Sequence, residues 1–165
     1  MSIKGGYTPI IASTATTATT ATKLVGQTDF ANFTPSLTCG TPGDLAITYS
    51  TRVGKSRNNG NGTATVVYSI ATSAFTWSTA SGVVFLTGFP IAGGASLPHV
   101  EGSMLFQGIT SASYTQFVPI VRSGSGVTEI TIQKCGTGQS AGNLVIADIP
   151  SGGSVIIALT ITYII

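Results

Sequence analysis

Apolar and polar positions alternate along most of this chain with a period of two, which is the spacing of a strand with one buried face. The pattern is clearest between Leu45 and Ile91. Leu45, Ile47 and Tyr49 alternate with Ala46, Thr48 and Ser50, and this predicts a strand over 45–53. A run rich in Gly and Asn, Gly54 to Gly62, reads as the hairpin connection. Thr63 to Thr72 returns with Val66, Tyr68 and Ile70 on one face, and Phe75 and Trp77 extend the apolar ridge. Ser81-Gly82 turns the chain into a further strand, Val83 to Phe89, which Pro90 ends.

The same grammar holds on either side. Phe33 to Thr38 predicts a short first strand entering through Pro35, followed by the turn Thr41-Pro42-Gly43-Asp44. Ile91 to Leu97 is a Gly- and Ala-rich loop. Val100 to Gln107 and Tyr114 to Arg122 predict two strands, and Ser123-Gly124-Ser125-Gly126 turns into a third, Val127 to Cys135. Gly136 to Gly142 reads as a loop, Leu144 to Ile149 as a short segment, and Asp148 to Gly153 as a turn. Ser154 to Ile165 is the last strand, and its apolar density predicts burial on both faces, at the domain centre or against a neighbouring subunit. No segment has helical periodicity. Strands at intervals of 10 to 20 residues place the chain among all-β proteins, as a sandwich or barrel; about eight strands fit a jelly roll, and an antiparallel, jelly-roll-like β-sandwich is the expectation.

Residues 1–32 differ. Ser13 to Thr22 reads STATTATTAT, with no long apolar side chain to offset the entropy of ordering. The expectation is an extended N-terminal attachment arm over 1–32, with Tyr7 to Ile11 and Lys23 to Val25 as anchors, and a sandwich domain over 33–165.

Composition narrows the function. Charged residues make up 7% of the 165 residues, against about 25% in an ordinary globular domain. Hydroxyls and amides cover the exterior instead, which offers little repulsion against self-association and suits a protein packed into an assembly. A net charge of +2 is too small to imply a nucleic-acid partner. Arg52, Lys55 and Arg57 lie in one turn region without interleaved aromatic rings, so a solvated hairpin loop is the expectation. The N-terminus does not read as a signal peptide, because Pro9 breaks its short apolar run. The C-terminal apolar run is about half the length of a membrane-spanning helix. A soluble protein with no membrane partner is expected.

Candidate chemistry is sparse. Cys39 and Cys135 could be two buried thiols or, if their strands are neighbours, a disulfide; with one His they cannot build a Cys/His metal site. Gly138-Gln139-Ser140-Ala141-Gly142 matches G-x-S-x-G, but a nucleophile elbow needs a preceding strand, a following helix and a later His, and His99 comes earlier. Asp29, Asp44, Glu101, Glu129 and Asp148 are widely spaced, with no pair set for glycosidase chemistry. Asn32-Phe33-Thr34 and Asn61-Gly62-Thr63 are glycosylation sequons that matter only in a secretory pathway. The expectation is a protein without catalytic, cofactor-binding or metal residues, not an enzyme.

Tyr49, Val53, Gly54, Val66, Ile70, Gly82, Leu86, Gly88 and Pro90, with the closing ADIPSGGSVIIALTITYI, form a succession that resembles small surface domains of bacteriophage structural proteins. The resemblance covers residues 33–165. It implies a jelly roll similar to the tumour-necrosis-factor-like fold, a homotrimer, and an N-terminal segment that ties it to the particle. The Asn-rich stretch Asn58 to Asn61 departs from that pattern, as does the chain's own Met1, which suggests a free-standing protein. The expected role is therefore a capsid decoration (cement) or head-fibre protein on the virion surface, bound to the major capsid protein through the arm. The alternative is a receptor- or carbohydrate-binding tail-fibre module, with Trp77 or Tyr114 stacking on sugar.

Overall fold

The computed structural model describes residues 25–94, 102–110, 114–122, 128–136 and 138–165. The tract Ser13 to Thr22, the Tyr7 to Ile11 anchor, His99, Glu101 and the Ser123 to Gly126 turn lie outside the described residues.

Within the described residues the chain forms ten strands. They are β1 (Ala31–Phe33), β2 (Ser36–Thr41), β3 (Ala46–Asn58), β4 (Thr63–Thr76), β5 (Ser81–Thr87), β6 (Ser103–Gln107), β7 (Gln116–Val121), β8 (Glu129–Gly136), β9 (Gln139–Asn143) and β10 (Ile156–Ile164). One 3₁₀ turn, Ile146–Asp148, precedes β10. The strands make two antiparallel sheets, β1-β3-β4-β10-β6 and β2-β5-β8-β7, with β9 beside β8. This is the expected all-β sandwich. The chain changes sheet between β1 and β2, β2 and β3, β4 and β5, β5 and β6, β6 and β7, and β9 and β10, and β10 slots between β4 and β6. That interleaving is a jelly-roll-like wrap.

The core is the filling between the sheets. Val66, Tyr68, Ile70, Ile157, Leu159, Ile161 and Tyr163 come from the first sheet; Leu37, Val84, Leu86, Ile130 and Ile132 come from the second. An aromatic ladder runs through it, Phe33–Tyr68–Phe89–Tyr163, each pair edge-to-face with ring centroids 5.1 to 6.2 Å apart. Edge-to-face pairs add roughly 0.5–1.5 kcal/mol beyond burial. Burial pushes both phenols above their ordinary range, so they stay neutral. The Tyr68 hydroxyl donates to the Thr87 carbonyl (3.2 Å) and the Tyr163 hydroxyl to the Ile91 carbonyl (2.6 Å).

Several expected boundaries move. The single strand Phe33 to Thr38 is two strands, split at Thr34-Pro35. Proline has no N–H to give a ladder, so the chain turns there and passes from the first sheet (β1) to the second (β2). Gly88 makes that corner possible: a Cβ on it would come within 2.4 Å of the Thr34 carbonyl oxygen. The expected connection Gly54 to Gly62 is mostly strand, since β3 pairs with β4 out to Asn58 and Ala64. Its burial was hidden by bulges. The β3–β4 register skips Ser73 and then Ser50, so the inward face moves from Ile47 and Tyr49 to Gly54 and Ser56. Gly54 is small because the Phe33 ring occupies the place of its side chain, 2.4 Å from an ideal Cβ. The loop expected over 136–142 holds β9, a short hairpin partner of β8, turned by Gly138 at φ +76°. Ser81-Gly82, expected as a turn, opens β5.

The last strand also differs. β10 is central, paired to β4 along all nine residues and to β6 along five. Its burial alternates strictly, however. Ile157, Leu159, Ile161 and Tyr163 are buried; Ile156, Thr160, Thr162 and Ile164 are exposed. Within this chain it is buried on one face only.

Two substitutions test this packing. Gly54→Ala drives a methyl into the Phe33 ring and is expected to cost about 1–3 kcal/mol in denaturant unfolding. The cost should shrink in a Phe33→Leu background. Ser56 is 1% exposed and its hydroxyl has no hydrogen-bond partner, so Ser56→Ala should leave stability unchanged or raise it by up to about 1 kcal/mol.

Candidate functional site: an apolar sheet face

The first sheet turns its second face outward. The register places Val53, Ser69, Ala158 and Leu105 in one row across β3, β4, β10 and β6. The rows beside it are Thr51–Ala71–Ile156–Gln107 and Lys55–Val67–Thr160–Ser103. Val53 is 50% exposed, Leu105 67%, Ile156 37% and Ile164 45%. A shallow concavity of about 480 Å³ opens over the small side chains of Ser69 and Ala158, walled by Val67, Leu105 and Thr160. Among the described residues the charges of this face are Lys55 and Arg57 on β3, beside the short edge strand β1. These apolar side chains are interspersed with Ser, Thr and Gln, and exposed apolar surface gathered on one face is where interactions form. The sequence signal was the apolar residues on both sides of β10. It predicts burial on both faces, and half of those residues form this face instead.

None of the exposed large apolar side chains among the described residues lies on the second sheet. Arg122 lies over the Phe85 ring, 5.1 Å from its centroid, and pairs with Glu129.

The polar groups elsewhere serve the fold. The Asp44 carboxylate accepts hydrogen bonds from the Ser78 and Thr79 hydroxyls and from the backbone N–H groups of Ser78, Thr79 and Ala80, all within 3.1 Å. These donors, the Ser78 hydroxyl foremost, hold its carboxyl well below the usual carboxylate range. Asp44 thus clamps the β4–β5 loop. Lys134 and Asp148 form a half-buried ion pair at 2.7 Å, with Tyr114 under the ammonium at 4.8 Å. Asp148 also accepts the Val145 N–H, which fixes the 3₁₀ turn where a plain short segment was expected.

The sequence-flagged residues stay apart. Cys39 is buried and Cys135 half-buried, both as free thiols. Cys39 sits on β2 and Cys135 on β8, with β5 between them, so at least two strand spacings, about 10 Å, separate them, beyond the reach of a disulfide. Ser140 lies within β9, exposed, and not at a strand-to-helix elbow. Among the described residues no three His, Cys, Asp or Glu side chains come together as metal ligands. Arg52, Lys55 and Arg57 belong to strand β3 and not to a loop. Arg52 lies over Tyr49 (4.5 Å) and donates to the Pro35 carbonyl, and Arg57 lies over Phe30 (4.7 Å). Trp77 is half-buried, and its Nε1 donates to the Ile149 carbonyl at 2.9 Å. Asn32 is on β1, and the Asn61 side chain accepts from the Thr63 hydroxyl at 2.6 Å.

Comparison with known proteins gives one structural likeness. No protein-family model matches the chain, and no curated protein matches it in sequence. Among solved structures it is similar to the Dettilon tailspike protein, with a TM-score of 0.54 and 16% identity over 82% of this chain. The match spans 24% of the tailspike chain. At that identity the likeness shows a shared fold.

The Asp44 clamp sets a pH dependence. Its folded carboxyl lies below the unfolded value of about 3.9, so its contribution is complete above that value and is lost as pH falls toward the folded one. Asp44→Asn should melt below wild type at pH 7, and the gap should close progressively under about pH 4. Melting curves of both proteins from pH 2 to 8 check this. A gap that stays constant would sink the clamp.

Proposed function

We propose that this chain is a non-enzymatic structural protein of a bacteriophage virion, displayed on the particle surface as a homotrimer and attached to other virion proteins through its N-terminal segment. The observation that carries this reading is the fold shared with a tailspike over 82% of the chain. The surface agrees with it: 7% charged residues, a Ser- and Thr-rich exterior and one open apolar sheet face suit a protein that works inside an assembly. The tumour-necrosis-factor-like trimer suggested by the sequence enters as part of this proposal.

The likeness to a tailspike favours a tail appendage over the capsid decoration role that the sequence resemblance put first. Within a tail appendage, an assembly role is better supported than sugar binding. Stacking on sugar needs free aromatic faces, whereas Trp77 is half-buried with its indole N–H engaged, Tyr114 faces Lys134, and Tyr68 and Tyr163 are in the core. The N-terminal segment meets the domain at the β3–β4 hairpin. Gln27 bridges Asn59, and the Thr28 N–H donates to the Asn58 carbonyl at 2.9 Å.

Light scattering tests the proposal. The full chain should run at three times its 16.7 kDa mass. A form lacking residues 1–24 should keep that state but lose its binding to virion proteins. Immunolabelling of intact particles should mark the tail. A folded monomer in both forms, or label on no part of the particle, overturns the reading.

A further inference from the structure

We infer that the outward face of the first sheet is the surface through which copies of this chain pack on one another, with Val53 of one copy beside Leu105 of the next. This inference rests on the self-assembling virion protein proposed above and names its contact.

Size supports it first. Strands β3, β4 and β10 over eight or nine residues and β6 over five, at about 4.8 Å spacing and about 3.3 Å rise, give a flat footprint of roughly 500 Å² before side-chain relief is counted. A stable interface needs roughly 800 Å² of accessible surface per partner, so the face is of the right order.

Chemistry selects a second copy as the occupant. The middle of the face carries hydroxyls, methyls and aliphatic side chains and no charge, which gives a polyanion or an acidic partner nothing to grip. Lys55 and Arg57 sit together on β3, and at Lys55 the sheet is edged by Asn32 of the short strand β1. When this side of one copy meets the β6 edge of the next, Asn32 and Lys55 come toward Ser103, the row-mate of Lys55 on β6, and no like charges oppose. The same operation brings together the two exposed apolar side chains of the central row. Val53 and Leu105 stand at opposite edges of that row, with the shallow Ser69–Ala158 trough between them. A cyclic arrangement therefore buries both in every copy equally. The second sheet offers no such face, since none of the exposed large apolar side chains among the described residues lies on it.

Cross-linking tests the contact in the full chain. Within one copy Val53 and Leu105 are three strand spacings apart, about 14 Å, too far for a disulfide. The double variant Val53→Cys/Leu105→Cys should therefore link between copies on oxidation and give a ladder that stops at three chains on a non-reducing gel. Each single variant and the wild type, with its buried and half-buried native thiols, should run as single chains. Ala158→Arg, which puts a charge in the middle of the face, should reduce the oligomer to monomer while its circular dichroism stays that of wild type. An oligomeric wild type whose double-cysteine variant stays unlinked overturns this inference and leaves the self-assembly reading standing. The same holds if folded Ala158→Arg remains oligomeric. A wild type that is monomeric from micromolar to hundreds of micromolar overturns both, and the face then belongs to a different virion protein.

Discussion

The fold depends on the pairing of β10 with β4. This ladder joins the end of the chain to its first half along nine residue pairs, from Ile156–Ala71 to Ile164–Thr63. Without it the first sheet falls into a β1-β3-β4 piece and a lone β6, and the inner row Ile157, Leu159, Ile161 and Tyr163 loses its place. The contact spans roughly ninety residues of sequence, so its loop-closure entropy is met only once the intervening strands are in place. Sheet and sandwich therefore form together, and the C-terminal strand is the piece that completes both.

The aromatic ladder ties that pairing to the rest of the core. Tyr163 on β10 packs on Phe89, Phe89 on Tyr68 of β4, and Tyr68 on Phe33 of β1. Each tyrosine hydroxyl reaches a carbonyl beyond its own strand, which meets the need of a buried donor. The ladder also explains a sequence feature with no apparent reason in the linear chain: Gly54 in the middle of a strand is the space that Phe33 fills.

A chain with so few charges holds its surface with other means. Its described ion pairs are local, Lys134 with Asp148 and Arg122 with Glu129, and its loops are fastened by hydroxyls and backbone N–H groups such as those around Asp44. Chemistry of this kind builds a rigid, nearly neutral body. Such a body also leaves exposed apolar side chains on one sheet face, and it shares its fold with part of a tailspike.

The sequence by itself determined the class of fold and most of its strands. Period-two alternation is local, so Thr63 to Thr72 with Val66, Tyr68 and Ile70 inward was legible without any partner. Proline and glycine marked most turns for equally local reasons. Only the tertiary structure decided what depended on distant neighbours. The bulges at Ser50 and Ser73 move β3 from one inward set to another, and alternation read straight through them turned its second half into a loop. Pro35 looked like an entry into one strand, and the second sheet made it a corner. The candidate face was visible as an excess of apolar residues in β10. Which half of them faced the core was set by the sheet that packs over it, because a strand's pattern records that two faces differ and not what covers each.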